Sequence, residues 1–191
     1  RINHDGPDGG WNFGWTDTNT GIDVGVANEW QHLAMTVDTS GKLRGYHNAS
    51  EVEKRDIVDS ASATTNVNIG REVASGSEYS NAVIADVRIY KQQLSEPDVQ
   101  EIYQKGSADV ADPPSANDGG IARYRFEDDV TDSFGSNDGT NNGVSFVNSS
   151  IRGKVGQFEA SNSDRVATTN FTALESETFT ISFWANINNQ N

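Results

Sequence analysis

The sequence predicts an all-β fold, an antiparallel sandwich of two sheets with one short helix, and three observations predict it. Two segments alternate apolar and polar residues with the period of a half-buried strand. Several shorter runs rich in β-branched and aromatic residues are set apart by turns of Gly, Asn, Ser and Asp. The chain of 191 residues carries 18 Gly and one Met, a balance that favours many short strands over helix packing.

Taken in chain order, Trp11, Phe13 and Trp15 alternate, so their side chains share one strand face. Residues 33–37, 43–47 and 67–71 are short strand candidates, the first two separated by the turn Thr39-Ser40-Gly41-Lys42. In residues 83–90, Val83, Ala85, Val87 and Ile89 are expected to point inward, opposite Ile84, Asp86, Arg88 and Tyr90. The helix is expected at residues 95–105. Ser95 is a good N-cap, Asp98 completes a short capping box, Leu94 and Val99 form a staple, and Gly106 sits where a C′ glycine ends a helix. Ile102 and Tyr103 would pack it down. Residues 107–120, with Pro113-Pro114, Asp and Gly, read as a linker. Beyond it, 123–126 is a short strand candidate and 178–188 the clearest one. There Phe179, Ile181, Phe183, Ala185 and Ile187 oppose Thr180, Ser182, Trp184, Asn186 and Asn188.

The composition excludes some partners. The chain holds 28 acidic and 14 basic residues, for a net charge of −14. Without Lys/Arg clusters it offers nothing to a nucleic-acid backbone or an anionic membrane surface. No run approaches the ~20 apolar residues of a membrane span, so no membrane insertion is expected. The spread of acidic charge suits solvation or tolerance of high salt. There is no Cys, which removes disulfides, thiolate metal sites and Cys nucleophiles. Three triplets match the N-glycosylation sequon, Asn48-Ala49-Ser50, Asn148-Ser149-Ser150 and Asn170-Phe171-Thr172. In a chain so rich in Asn, Ser and Thr such triplets arise often by chance.

Four segments resemble laminin G-like domains of the concanavalin A-like lectin-glucanase class. Residues 28–48 (NEWQHLAMTVDTSGKLRGYHN) look like the Trp-x-His strand and Gly turn of these jelly rolls. Residues 68–103 resemble their closing segment, with Ile69-Gly70-Arg71, Asp86-Val87-Arg88-Ile89-Tyr90 and a short terminal helix. Residues 122–143 resemble the opening strand and its Asp-Ser-x-Gly-x-Asn loop, and 179–187 an early core strand. The resemblance implies a concanavalin A-like jelly roll, but the order is inverted. The closing half occupies residues 1–106 and the opening half 121–191, on either side of the 107–120 linker. The family's first and last strands are expected side by side, so such a permutation is geometrically tolerable. The halves are expected to complete one sandwich within the chain, or to pair with the halves of neighbouring copies.

No catalytic constellation is found, and the chain is expected not to be an enzyme. The family's glucan-cleaving relatives carry Glu-x-Asp-x-Glu on one strand, and this chain does not. Glu51-Val52-Glu53, with Lys54 and Arg55 beside it, reads as a solvated strand edge. His4, His32 and His47 lack metal spacing. The best local chemistry is a structural calcium site. Glu127, Asp128, Asp129, Asp132, Asn137 and Asp138 gather hard oxygen donors on a Gly/Asn loop. The resemblance implies that Asp86 lies near enough to join Glu127, Asp132 and Asn137. The alternative is an acidic turn capped by Ser133 and Asp132. For a ligand, Trp11, Trp15, Tyr79 and Trp184 offer aromatic faces suited to the C–H face of a sugar, although such residues are more often core. The expected function is a non-catalytic extracellular or cell-surface binding or adhesion module, with a carbohydrate or a cell-surface protein as partner. The alternative is a self-assembling structural repeat completed by its neighbour.

Overall fold

The structure, a computed structural model of the chain, describes residues 2–4, 11–13, 27–56, 67–71, 78–107, 119–168 and 178–187. These form strands β1 (Ile2–His4), β2 (Trp11–Phe13), β3 (Gln31–Val37), β4 (Lys42–His47), β5 (Ser50–Asp56), β6 (Asn68–Ile69) and β7 (Ala82–Tyr90), and helix α1 (Glu96–Ser107). Then follow β8 (Gly120–Tyr124), β9 (Thr140–Asn142), β10 (Ser145–Ser149), β11 (Gly153–Phe158), a 3-10 turn at Ala160–Asn162, β12 (Arg165–Ala167) and β13 (Phe179–Ile187).

Among the described residues one sheet holds eight strands in the order β10-β11-β7-β13-β3-β4-β5, with β8 also on β7. A smaller sheet runs β6-β12-β9, and β1 pairs with β2. Every strand pairing is antiparallel. Between the two larger sheets lies a core of Ile69 and Val166 from the small one, Ile84, Val87, Ile89, Tyr124 and Phe158 from the large one, and Phe126 just after β8. Phe126 and Phe158 meet edge to face at 5.8 Å, a favoured aromatic geometry. This is the two-layer, concanavalin A-like all-β sandwich that the sequence predicts.

Late in the chain, β13 is inserted between β3 and β7. It pairs with β3 from Phe179↔Val37 to Ala185↔Gln31 and with β7 from Thr180↔Tyr90 to Ile187↔Ala82. Its faces follow the alternation expected for 179–187. Phe179, Ile181, Phe183, Ala185 and Ile187 join Leu33, Met35 and Leu43 in the core on the inner face, with Ile2 of β1 packed against them. Trp184 points the other way.

The face assignment of β7 needs correction. Ser182 opposes Arg88, but Trp184 opposes Ala85, so Asp86 and Val87 both face Phe183 in a β-bulge. Asp86 takes φ +53° to make it. The bulge shifts the alternation by one. Ala82 and Ile84 before it and Val87 and Ile89 after it face the inner core. Val83 and Ala85 turn to the outer face beside Trp184. The outer neighbour of β7 changes at the same place, from β11 along Ala82–Ile84 to β8 along Val87–Tyr90.

Helix α1 covers part of the outer face. The capping box forms, with Ser95 N–H donating to Asp98 Oδ2 at 2.8 Å and Asp98 N–H to Ser95 Oγ at 3.4 Å. Val99 and Ile102 then pack on Ala34, Tyr46 and Tyr90. With cover on both sides, β3 is buried at all seven positions, polar Gln31, His32 and Thr36 included. The helix runs through Gly106 instead of ending before it. That glycine is required by close approach, because a Cβ there would lie 2.6 Å from Trp184 Nε1.

Candidate functional site

The outer face of the large sheet gathers the most unusual side chains. His32 and Trp184 are direct cross-strand partners on β3 and β13, so both project to this face, with rings 5.2 Å apart. Tyr103, one helical step beyond Ile102, stacks on Trp184 at 5.4 Å with planes 17° apart. Arg152, in the turn between β10 and β11, lays its guanidinium over the Trp184 ring at 3.3 Å and over Trp30 at 5.2 Å. Its Nη1 donates to the Gly106 carbonyl at 2.6 Å, which ties that turn to the helix end. Burial pulls the Arg152 pKa down to about 10.

His32 is fully buried. Its Nε2 hydrogen-bonds with Ser182 Oγ at 2.8 Å. Burial above all, then the nearby Arg88 charge, lowers its pKa to about 3, so the imidazole is neutral. These contacts hold helix to sheet. Trp184, expected as a groove aromatic, is 4% exposed and packed in this cluster. Neither Trp30 nor Arg152 was singled out by sequence reasoning. The Trp-x-His motif marked the strand, but nothing local pairs Trp30 with an arginine 122 positions away (152 − 30).

The bulge delivers Asp86 to two arginines. Arg88 Nε reaches Asp86 Oδ1 at 3.1 Å, and Arg88 Nη2 bonds Oδ2. Arg123 Nε, on β8, reaches Oδ1 at 2.7 Å. Burial would raise this carboxyl, but the charges and hydrogen bonds of Arg88 and Arg123 outweigh it and hold the pKa below the usual carboxylate range.

The acidic loop after β8 does not fit calcium. The ion needs six to eight oxygen ligands free to face it. Asp132 Oδ1 instead accepts from the backbone N–H of Arg123 and Phe134, both at 2.9 Å. Its Oδ2 accepts from Asn137 N–H at 3.0 Å and Asn137 Nδ2 at 3.2 Å. Asn137 Nδ2 also donates to the Ile121 carbonyl, and the Asn137 carbonyl accepts from Tyr124 Oη at 2.6 Å. Glu127 pairs with Arg125 at 3.1 Å, Asp128 with Lys154, and Asp86 with its arginines. Among the described residues no three His, Asp or Glu side chains converge on a possible metal position. The expected ligands Glu127, Asp132, Asn137 and Asp86 are thus engaged separately. Asp132 staples its loop to β8 through N–H groups, much as the capped-turn alternative describes.

Of the remaining aromatic candidates, Tyr79 is half-buried beside the β6–β7 connection and bridges to Arg71, whose guanidinium lies 5.5 Å over its ring. Trp11 is on β2, opposite His4. Trp15 lies outside the described residues. On the opposite edge of the large sheet, Glu51 bonds Arg44 at 2.9 Å, as a solvated edge strand would. His47 Nε2 bonds Gln31 Oε1 at 3.0 Å.

A two-layer antiparallel sandwich with a short helix over part of one face defines a β-sandwich module of the concanavalin A-like type. The chain belongs to the concanavalin A-like lectin/glucanases superfamily, whose laminin G-like family model matches residues 2–100. Laminin G-like domains are in general binding modules and typically extracellular, although the superfamily also includes glycosidases. No curated protein and no solved structure matches the chain. No helix among the described residues is long and apolar enough to cross a membrane.

Proposed function

We propose that this chain is a non-catalytic extracellular binding or adhesion module that takes a carbohydrate or a cell-surface protein through an aromatic margin containing Tyr79, with Trp11 and Trp15 as further contacts. The observation that carries this is the partly exposed Tyr79 with the Arg71 guanidinium 5.5 Å over its ring. Such an aromatic and cation pair suits a sugar ring on its apolar face and a protein hot spot alike. The absence of catalysis is supported by the use made of the carboxylates. Glycosidase chemistry needs two carboxyl groups facing across a gap, whereas Glu51 bonds Arg44 and Asp86 bonds Arg88 and Arg123. The test is a screen of immobilised glycans and extracellular proteins against the chain and its Tyr79→Ala variant. Binding weakened about tenfold or more in the variant is expected, as for loss of a hot-spot aromatic. A ligand held equally by both would remove the margin from the site.

Residues 1–106 and 121–191 are proposed to be the closing and opening halves of one permuted sandwich, completed within the chain. The seat of β13 between β3 and β7 favours this. So does chain length. Gly119 accepts from Lys91 N–H near the start of α1, and α1 carries the chain away over 12 residues, roughly 18 Å. Residues 108–118 have a reach of roughly 36–40 Å, enough to return. The competing reading, a repeat completed by its neighbour, predicts a mass that grows with concentration. A monomer at micromolar concentration is expected.

A further inference from the structure

We propose that Asn148 is an acceptor of an N-linked oligosaccharide, and that Asn48, which carries the same triplet, is not. Asn148 lies near the end of β10, an outer strand of the eight-stranded sheet, and the chain enters the Ser150–Arg152 turn just after it. Asn148 and Ser150 are both exposed. Among the described residues the Asn148 side-chain amide has no hydrogen-bond partner, and its cross-strand neighbour Lys154 is drawn off to Asp128. A large polar group attached at Asn148 Nδ2 therefore displaces no packing.

The setting of Asn48 is the reverse. With Ala49 it makes the two-residue turn between β4 and β5, at φ +49° and +66°, which is the type I′ geometry that favours Asn. Its Oδ1 accepts from His32 N–H at 2.9 Å, and its own N–H donates to the His32 carbonyl at 2.8 Å. The Asn48 amide is thus committed to fixing the strand that carries His32.

Position adds a second reason. The other outer strand, β5, is guarded by Glu51, Glu53, Lys54, Arg55 and Asp56, whereas β10 (Ser-Phe-Val-Asn-Ser) carries no charge. Uncharged edges invite pairing with other chains, and a bulky hydrophilic group is one means of blocking it. The transfer joins Asn148 Nδ2 to the anomeric carbon of an oligosaccharide carried on a lipid diphosphate. The sugar–phosphate bond breaks, the lipid diphosphate leaves with the electron pair, and the amide nitrogen gives up one proton. This rests on the extracellular reading, because such donors are met on the export route.

The test is export of the whole chain from eukaryotic cells behind a cleavable leader, followed by peptide mass analysis. Peptide N-glycosidase converts a glycan-bearing Asn to Asp, so each site is read separately, in secreted and retained chain alike. Conversion at Asn148 and not at Asn48 is expected. Ser150→Ala should abolish it, and Ser50→Ala, which leaves the Asn48 turn intact, should not. An unmodified Asn148, or equal occupancy of Asn48, overturns the assignment. The readout is covalent occupancy, so a failed ligand screen leaves it standing, and a bare Asn148 leaves the binding reading standing.

Discussion

Burial of a neutral His32 makes this sandwich lose stability in mild acid, before most carboxylates titrate. The imidazole is enclosed by Ser182, Trp184 and Tyr103, and its pKa falls from 6.5 to about 3. Burial is the main cause. Arg88, Arg152 and His47 push the same way, and Asp86 opposes them. In the unfolded chain the imidazole takes up its proton near its ordinary value of about 6.5. The unfolded state therefore binds the proton first. The His32 contribution is complete above about pH 7 and is lost progressively as pH falls towards the folded value near 3. Between pH 7 and pH 5 the loss works out at about 2 kcal/mol, since each pH unit below the unfolded pKa costs about 1.4 kcal/mol. His47 is also lowered by burial and adds a loss of the same sign. The assay is urea unfolding followed by tryptophan fluorescence at pH 7, 6 and 5, for the parent chain, His47→Gln and His32→Gln. The quantity compared is the slope with pH, so a variant that is merely less stable still reports. His32→Gln should flatten most of that slope. A slope equal to the parent's would refute the argument that His32 is buried neutral.

Two further outcomes are expected. Asp86→Asn leaves Arg88 and Arg123 without their shared counter-charge, and the cost should be about 3 kcal/mol in urea unfolding, the lower end for a broken buried pair, because the carboxylate keeps 18% of its surface exposed. The Asp86 pKa is depressed, so its contribution is present above about pH 4 and is lost only as pH falls from there towards the folded value, starting near the acid end of the His32 window. A loss under about 1 kcal/mol would mean that the pair is solvated. Millimolar calcium, compared with chelator, should leave the melting temperature unchanged, because a stabilising ion must bind the native state and the Asp132 oxygens already accept from N–H groups. A rise that disappears in Asp132→Ala would restore the calcium reading.

How far the sequence is legible varies from element to element. Alternation assigned both faces of β13 correctly, because that strand is regular from Phe179 to Ile187. The same rule misplaced Val83 and Ala85, because a bulge resets the period and Asp86 gives no local sign that it takes φ +53°. Ser95 and Asp98 disclosed the start of α1, since a capping box is a contact between near neighbours. Gly106 was misread as a helix end, because its reason lies in Trp184, 78 positions away (184 − 106). In the acidic loop, sequence counts carboxylates but not the N–H groups of Arg123, Phe134 and Asn137 from which Asp132 accepts.

By itself the sequence determined the fold class, the main strands, the capped helix and the resemblance to laminin G-like jelly rolls, because these rest on period, turn chemistry and local motif. Only the tertiary structure decided that β13 lies between β3 and β7, that Asp86 serves two arginines, and that Trp184 is covered while Asn148 is open. Each of those depends on strands distant in the chain arriving side by side. A polar or aromatic side chain takes its role from whatever then stands opposite it.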